Sequence, residues 1–172
     1  MVEEYPATLK FNRYIFEKLL GKGGQGEVCL YKDKDDKKHV AIKFDKEGES
    51  LILEECMFLK EYYTQLKLAV RYYMHDTVKA RRFMVMEYLE DSVEEYMIRF
   101  RNDVDKYFEA VKTLSLQMFD SIEELHAANH IHRNIKTENF RMKGYQLYLT
   151  DFGLVTSFLD KDSQNHIQQL DN

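Results

Sequence analysis

The chain is poor in the features that mark secreted, membrane-spanning or nucleic-acid-coating proteins. Two cysteines in 172 residues are too few for a disulfide scaffold or a metal knot, which needs more ligands at closer spacing, so Cys29 and Cys56 are expected as buried thiols. No stretch approaches the roughly 20 apolar residues of a membrane span, so no membrane partner is expected. The acidic start, Met1-Val2-Glu3-Glu4-Tyr5-Pro6, lacks the basic-then-apolar order of a secretory leader. An intracellular location is expected, cytoplasmic with the nucleus as the alternative. Positive charge is in deficit: 25 Lys and Arg face 30 Asp and Glu, a net charge of −5. That balance argues against a general nucleic-acid binder. There is no internal repeat and no low-complexity segment. What is there, 44% hydrophobic and 32% charged residues, can bury a core and belongs to the globular class.

Periodicity orders the chain as three strands, a helix, two strands and then helices. Tyr14 to Leu20, Val28 to Lys32 and His39 to Phe44 are short aromatic and aliphatic runs, divided by a glycine cluster and by the charged turn Asp33 to Lys38. They read as the first strands of an antiparallel sheet. From Glu49, the apolar positions Leu51, Ile52, Phe58, Leu59 and Tyr62 recur at helical spacing, with Glu55 an acid on the apolar face. Val70 to Met74 and Arg82 to Met86 read as two more strands. Ser92-Val93-Glu94-Glu95 is a capping box that should start a helix. A longer helix with Val111, Leu114, Met118, Ile122 and Leu125 on one stripe should end near Asn129.

Four motifs carry chemistry. The first is Gly21-Lys22-Gly23-Gly24-Gln25-Gly26-Glu27-Val28. Its glycines let backbone approach a phosphate and offer N–H groups to it, although a glycine cluster alone is as well read as a hairpin turn. Val40-Ala41-Ile42-Lys43 places a lysine in an apolar strand, where it needs a partner or costs several kcal/mol. Glu55 and Glu54 are both candidates for that partner. Ile131-His132-Arg133-Asn134-Ile135-Lys136-Thr137-Glu138-Asn139-Phe140 and Asp151-Phe152-Gly153 supply the polar groups of the second half.

In this order the motifs resemble those of eukaryotic protein kinases. The resemblance implies an α+β fold: an N-terminal lobe of a five-stranded antiparallel sheet plus one helix, then the first helical part of a C-terminal lobe. It divides the chain into a lobe and hinge over about 14–89, the start of the second lobe over about 90–157, and the start of an activation segment over about 158–172. The implied cofactors are ATP and Mg2+. Gly21, Gly23, Gly26, Val28, Ala41 and Lys43 would hold the nucleotide, with Met86 as gatekeeper and Glu87 and Leu89 in the hinge at the adenine edge. Glu55 best matches the family acid that pairs the lysine. Lys136 would contact the transferring phosphoryl group, and Asn139 and Asp151 would hold the metal. His132 would brace the loop, and Arg133 could meet a phosphorylated residue. Phe140, Val85-Met86-Glu87 and the stretch Asp160-Lys161-Asp162-Ser163-Gln164-Asn165-His166-Ile167 resemble casein kinase 1 relatives, although Gln25 stands where that group has an aromatic. Serine/threonine phosphorylation of acidic or pre-phosphorylated proteins is implied.

Three departures weigh against full activity. Asn134 stands at the catalytic position where the family has an aspartate that accepts the substrate's proton, and an amide has no useful basicity. General-base catalysis is worth roughly 10² to 10⁴ in rate. Arg141 lies where the family has an apolar floor beneath adenine, so it must snorkel away or stack on the base. The chain ends at Asn172, within the expected activation segment. An apolar surface on the long helix is therefore expected, with self-association or a partner to cover it, and disorder over Leu159 to Asn172. The readings left are a weakened serine/threonine kinase, a pseudokinase or interaction module, and an incomplete product with no independent role.

Overall fold

The computed structural model describes residues 5–24, 26–46, 51–160 and 166. It divides into two compact units, 1–61 with 70–89 and 62–69 with 90–172. The architecture is α+β.

The first unit is a six-stranded antiparallel sheet with one helix. Its strands are β1 (Thr8–Leu9), β2 (Tyr14–Gly23), β3 (Gly26–Asp33), β4 (Lys38–Phe44), β5 (Tyr72–Val78) and β6 (Arg81–Glu87), in spatial order β1-β2-β3-β4-β6-β5, and the helix α1 (Leu51–Glu61) follows β4 in sequence. Five strands match the expected set, and β1 is an addition. Two residues carry no readable period, and β1 exists because Thr8 and Leu9 pair with Ile15 and Tyr14. The strand expected at Val70 to Met74 forms later, at Tyr72–Val78, because its register against β6 pins it from Tyr72 opposite Met86 to Val78 opposite Arg81. Lys79 and Ala80, at φ 47° and 62°, make the two-residue turn between them, the left-handed pair that suits right-twisted strands. Central β4 is buried from Val40 to Phe44, since it has strands on both sides. Tyr14, Cys29, Tyr31, Val40, Ile42, Phe44, Phe83 and Val85 form the core beside it. Helix α1 buries Ile52, Glu55, Cys56, Phe58 and Leu59. Tyr62 lies beyond its end, and the expected start at Glu49 falls outside the described residues.

The second unit contains α2 (Val93–Met97), α3 (Val104–Ala127), β7 (His130–Ile131), β8 (Phe140–Lys143), β9 (Gln146–Leu149) and β10 (Thr156–Ser157). The capping box forms as expected, with the Glu95 N–H donating to Ser92 Oγ and the Ser92 N–H to the Glu95 carboxylate. These bonds hold the Glu95 carboxyl below its usual range. Leu114 and Leu125 of the α3 stripe are buried, whereas Val111 is exposed. The helix stops where Asn129 turns left-handed, φ 63°, a conformation asparagine tolerates. Segment 62–69 packs here through the Leu68 N–H on Glu124 and the Leu149 N–H on the Leu68 carbonyl. Besides its helices this unit holds two small sheets, β7 with β10 and β8 with β9. Val104, Tyr107, Phe108, Leu116 and Phe119 of α3 are exposed, whereas Met118 and Ile122 of its apolar stripe are half-buried. In the described part of Leu159 to Asn172, where disorder is expected, Leu159 bridges His166, and Phe158 stacks on the His166 ring. The remainder lies outside the described residues. No helix among the described residues is long and apolar enough to cross a membrane.

Candidate active site

In the first unit the glycine motif closes the β2–β3 hairpin, with Gly23 opposite Gly26. Its glycines differ. Gly21 has nothing within 4 Å of an added Cβ, whereas at Gly26 (φ +130°) a Cβ would sit 2.2 Å from the Phe44 carbonyl oxygen. Only glycine can turn there and lie down on β4. The register places Val28 opposite both Gly21 and Lys43, and Ala41 opposite Met86. Met86 and Leu89 are buried, and the Glu87 N–H donates to the Arg71 carbonyl at 2.8 Å.

Lys43 Nζ lies 2.7 Å from Glu55 Oε2, with the side chains 6% and 1% exposed. The choice left open between the two glutamates is made by helix rotation: Glu55 faces the sheet and Glu54 faces solvent. A charge pair so fully removed from water is rarely retained for stability, because desolvation offsets its attraction. Glu27 is held below its usual pKa, where burial is outweighed by Arg81 and Lys22. That anchors the hairpin to the β5–β6 end.

In the second unit β7 pairs with β10 and leads into the polar loop. His132 is buried and bonds through Nε2 to the Thr150 carbonyl at 3.0 Å, with its ring 5.2 Å from Phe152. Arg133, at φ 60°, donates to the Leu154 carbonyl at 2.6 Å. Asn134 is fixed at both ends: its backbone oxygen accepts from Asn139 Nδ2 at 2.8 Å, and its own Nδ2 donates to Asp151 Oδ2 at 3.0 Å. Lys136 is extended and exposed. Asn139 is buried in a short 3-10 turn, and Asp151 takes the left-handed conformation, φ 69°, ψ 60°, a strained state for a non-glycine residue. Arg141 has snorkelled, donating to the Glu90 carbonyl at 2.8 Å.

Sequence reasoning missed two members of this network. Thr150 bonds the Asn139 carbonyl through both its N–H and its hydroxyl; its place just before Asp151 was the available signal. The Asn134–Asp151 bond spans 17 residues and has no local signature.

The implied divalent cation can be tested against these donors. Asn139 commits its amide nitrogen to Asn134, leaving the oxygen as the end that could ligate, and Asp151 offers a half-buried carboxylate. Hard oxygen donors suit Mg2+, so the residues fit. No cluster of three or more His, Cys, Asp or Glu gathers as a separate metal site among the described residues.

The sequence profile described as the protein kinase domain matches residues 14–169. A probable casein kinase I homolog of Encephalitozoon cuniculi is 29% identical over 163 residues, covering 91% of this chain and 50% of that protein. The chain thus spans about half the length of this curated relative.

Proposed function

The chain belongs to the protein kinase family, and from that premise we propose that it binds ATP and transfers the terminal phosphoryl group, slowly, to serine or threonine hydroxyls of acidic or pre-phosphorylated proteins. The observation that carries the proposal is the buried Lys43–Glu55 pair. It holds an ammonium in a fixed position where a nucleotide phosphate can meet it. Beside it the glycine hairpin would offer backbone N–H groups to the phosphates, Val28 and Ala41 a face to adenine, and Met86, Glu87 and Leu89 its edge.

In the second unit Lys136 would meet the transferring group, and Asn139 and Asp151 would hold the metal, which neutralises phosphate charge. Asn134 would orient the accepting hydroxyl but cannot take its proton. Its amide nitrogen is already spent on Asp151. The same bond favours a second reading, a nucleotide-binding module with little or no transfer.

Phosphoryl transfer from ATP with magnesium to an acidic casein-type protein separates the two. The parent chain should be slow, Asn134→Asp faster by roughly 10² or more, and Lys43→Ala silent. Silence in all three favours the binding module. Activity that survives Lys43→Ala would overturn both readings.

A further inference from the structure

In the second unit a groove of about 480 Å³ lies between α3 and the segment formed by α2 and the 3-10 turn Ile98–Phe100 that follows it. Met97, Val111, Leu114 and Met118 give it an apolar lining. Two charges stand on the α2 side. Glu94 lines the groove with Thr137, whose hydroxyl donates to the Glu94 carboxylate at 2.9 Å, and Arg101 lines it with Tyr107. Seven residues of helical chain separate the two charges, roughly 10 Å along the axis. Both are exposed, and among the described residues neither forms an ion pair.

The neighbouring face of α3 is apolar and open. Phe108 and Phe119 each stand one position past a groove residue, Tyr107 and Met118, which turns them about 100° round the helix from it. Spaced by eleven residues, close to three full turns, they project from the same face. They are 66% and 69% exposed, with Val104 at 69% and Leu116 at 58% beside them. At about 150–250 Å² per aromatic side chain, the two phenylalanines alone present on the order of 300 Å². With Val104 and Leu116 the face falls within the roughly 300–600 Å² of the largest apolar patch on a typical monomer. A standard interface takes about 800 Å² from each partner, so this face and the groove beside it suit a small, weak but specific contact.

We propose that this surface is the contact between two copies of the chain, with their α3 helices antiparallel across a two-fold axis. A two-fold contact must be self-complementary, because each pair of residues meets twice. The antiparallel arrangement meets that condition in two ways. It sets Phe108 of each copy against Phe119 of the other, an aromatic pair made twice. It also turns the Arg101 end of each groove toward the Glu94 end of the other, so both charges of one copy meet opposite charges on the second. A parallel arrangement would bring Arg101 toward Arg101 and Glu94 toward Glu94, which like charges oppose. A ligand of one sign would answer only one end of the groove. The net charge of −5 works against association, and with an interface of this size the dissociation constant should be on the order of 10 μM.

The test is sedimentation velocity of the full chain at concentrations that bracket that constant, with the melting temperature read for each variant. The parent should pass from monomer to dimer and form nothing larger, since a two-fold contact closes on itself. Arg101→Glu and Glu94→Arg should each weaken the dimer roughly tenfold or more, because each turns two attractive contacts into two repulsive ones. Mixed in equal amounts, the two single variants should dimerise like the parent, since every charge then meets its opposite across the contact. The double variant Arg101→Glu/Glu94→Arg should dimerise by itself for the same reason. Phe119→Ser should weaken the dimer by roughly tenfold or more, yet melt with the parent where both are monomeric, because the side chain it truncates is mostly in solvent.

A parent chain that stays monomeric overturns the proposal and leaves the face to a different partner. Association that grows past the dimer, or that ignores the charge reversals, marks an unspecific apolar surface and overturns it too. So does an equal mixture of the two single variants that remains monomeric while both are folded. If a charge variant fails to fold, Phe119→Ser decides alone: the expected loss upholds the pairing of the α3 helices, and dimerisation equal to that of the parent overturns it.

Discussion

Replacing Lys43 by methionine should unfold the first unit far more easily than the loss of one surface charge would, and the loss should be recoverable. Lys43 and Glu55 meet at 2.7 Å with side chains 6% and 1% exposed. Removing one partner leaves the other charge buried without the group it bonds at 2.7 Å, and such a change costs about 3–5 kcal/mol. For a unit of this size each 1 kcal/mol lowers the midpoint by about 4–8 °C, so a fall of at least about 12 °C is expected. Glu55→Leu should cost a similar amount. The double variant Lys43→Met/Glu55→Leu, with apolar groups at both ends, should return to within about 1 kcal/mol of the parent. Urea denaturation followed by far-ultraviolet circular dichroism is the assay, since the chain contains no tryptophan. The cycle should show a coupling of about 3 kcal/mol or more. Costs that simply add, or a single-variant loss below about 1 kcal/mol, would refute the claim that the pair is buried and mutually dependent.

Three further outcomes follow from the geometry. Gly26→Ala, whose Cβ would meet the Phe44 oxygen at 2.2 Å, should cost about 2 kcal/mol or more, whereas Gly21→Ala should cost under about 1; thermal melting of the two variants checks this. For Asp33, burial alone would raise the pKa, but the Arg13 guanidinium at 2.7 Å and the Asp35 and Asp36 N–H groups outweigh it and hold the carboxyl below its usual range. Asp33→Asn should therefore cost about 1–2 kcal/mol at neutral pH, discounted for the partly exposed arginine. Because the folded value is depressed, that difference should persist above the ordinary value of about 4 and vanish as pH falls through the folded value; a difference that grows on acidification contradicts the assignment. Burial, with Glu55 and Asp45 beside it, pushes the Cys56 thiol up to about 12. Cys56 should resist iodoacetamide at pH 8 in the folded chain and label on unfolding, as read by mass spectrometry.

Sequence and structure divide the account by range. Periods of two and of 3.6 residues, the Ser92–Glu95 capping box and the order of the motifs are local, so strands β2, β3, β4 and β6, helices α1 and α3 and the start of α2 were legible from the residues alone. A lysine in an apolar strand likewise announces a buried partner, because desolvation demands one. The tertiary structure decided what depends on neighbours distant in sequence. It formed β1 from two residues that only β2 stabilises, moved β5 to the register of β6, and packed 62–69 with the second unit through Glu124 and Leu149. It chose Glu55 over Glu54 by the rotation of one helix, and separated Gly26 from Gly21 by the approach of the Phe44 carbonyl. Asn134 is the sharpest case. Its identity alone says that an amide stands where the resemblance implies a carboxylate; only folding, by bringing residue 151 within 3.0 Å, shows which group that amide donates to, because the partner of a donor is set by packing across the chain and not by the residues beside it.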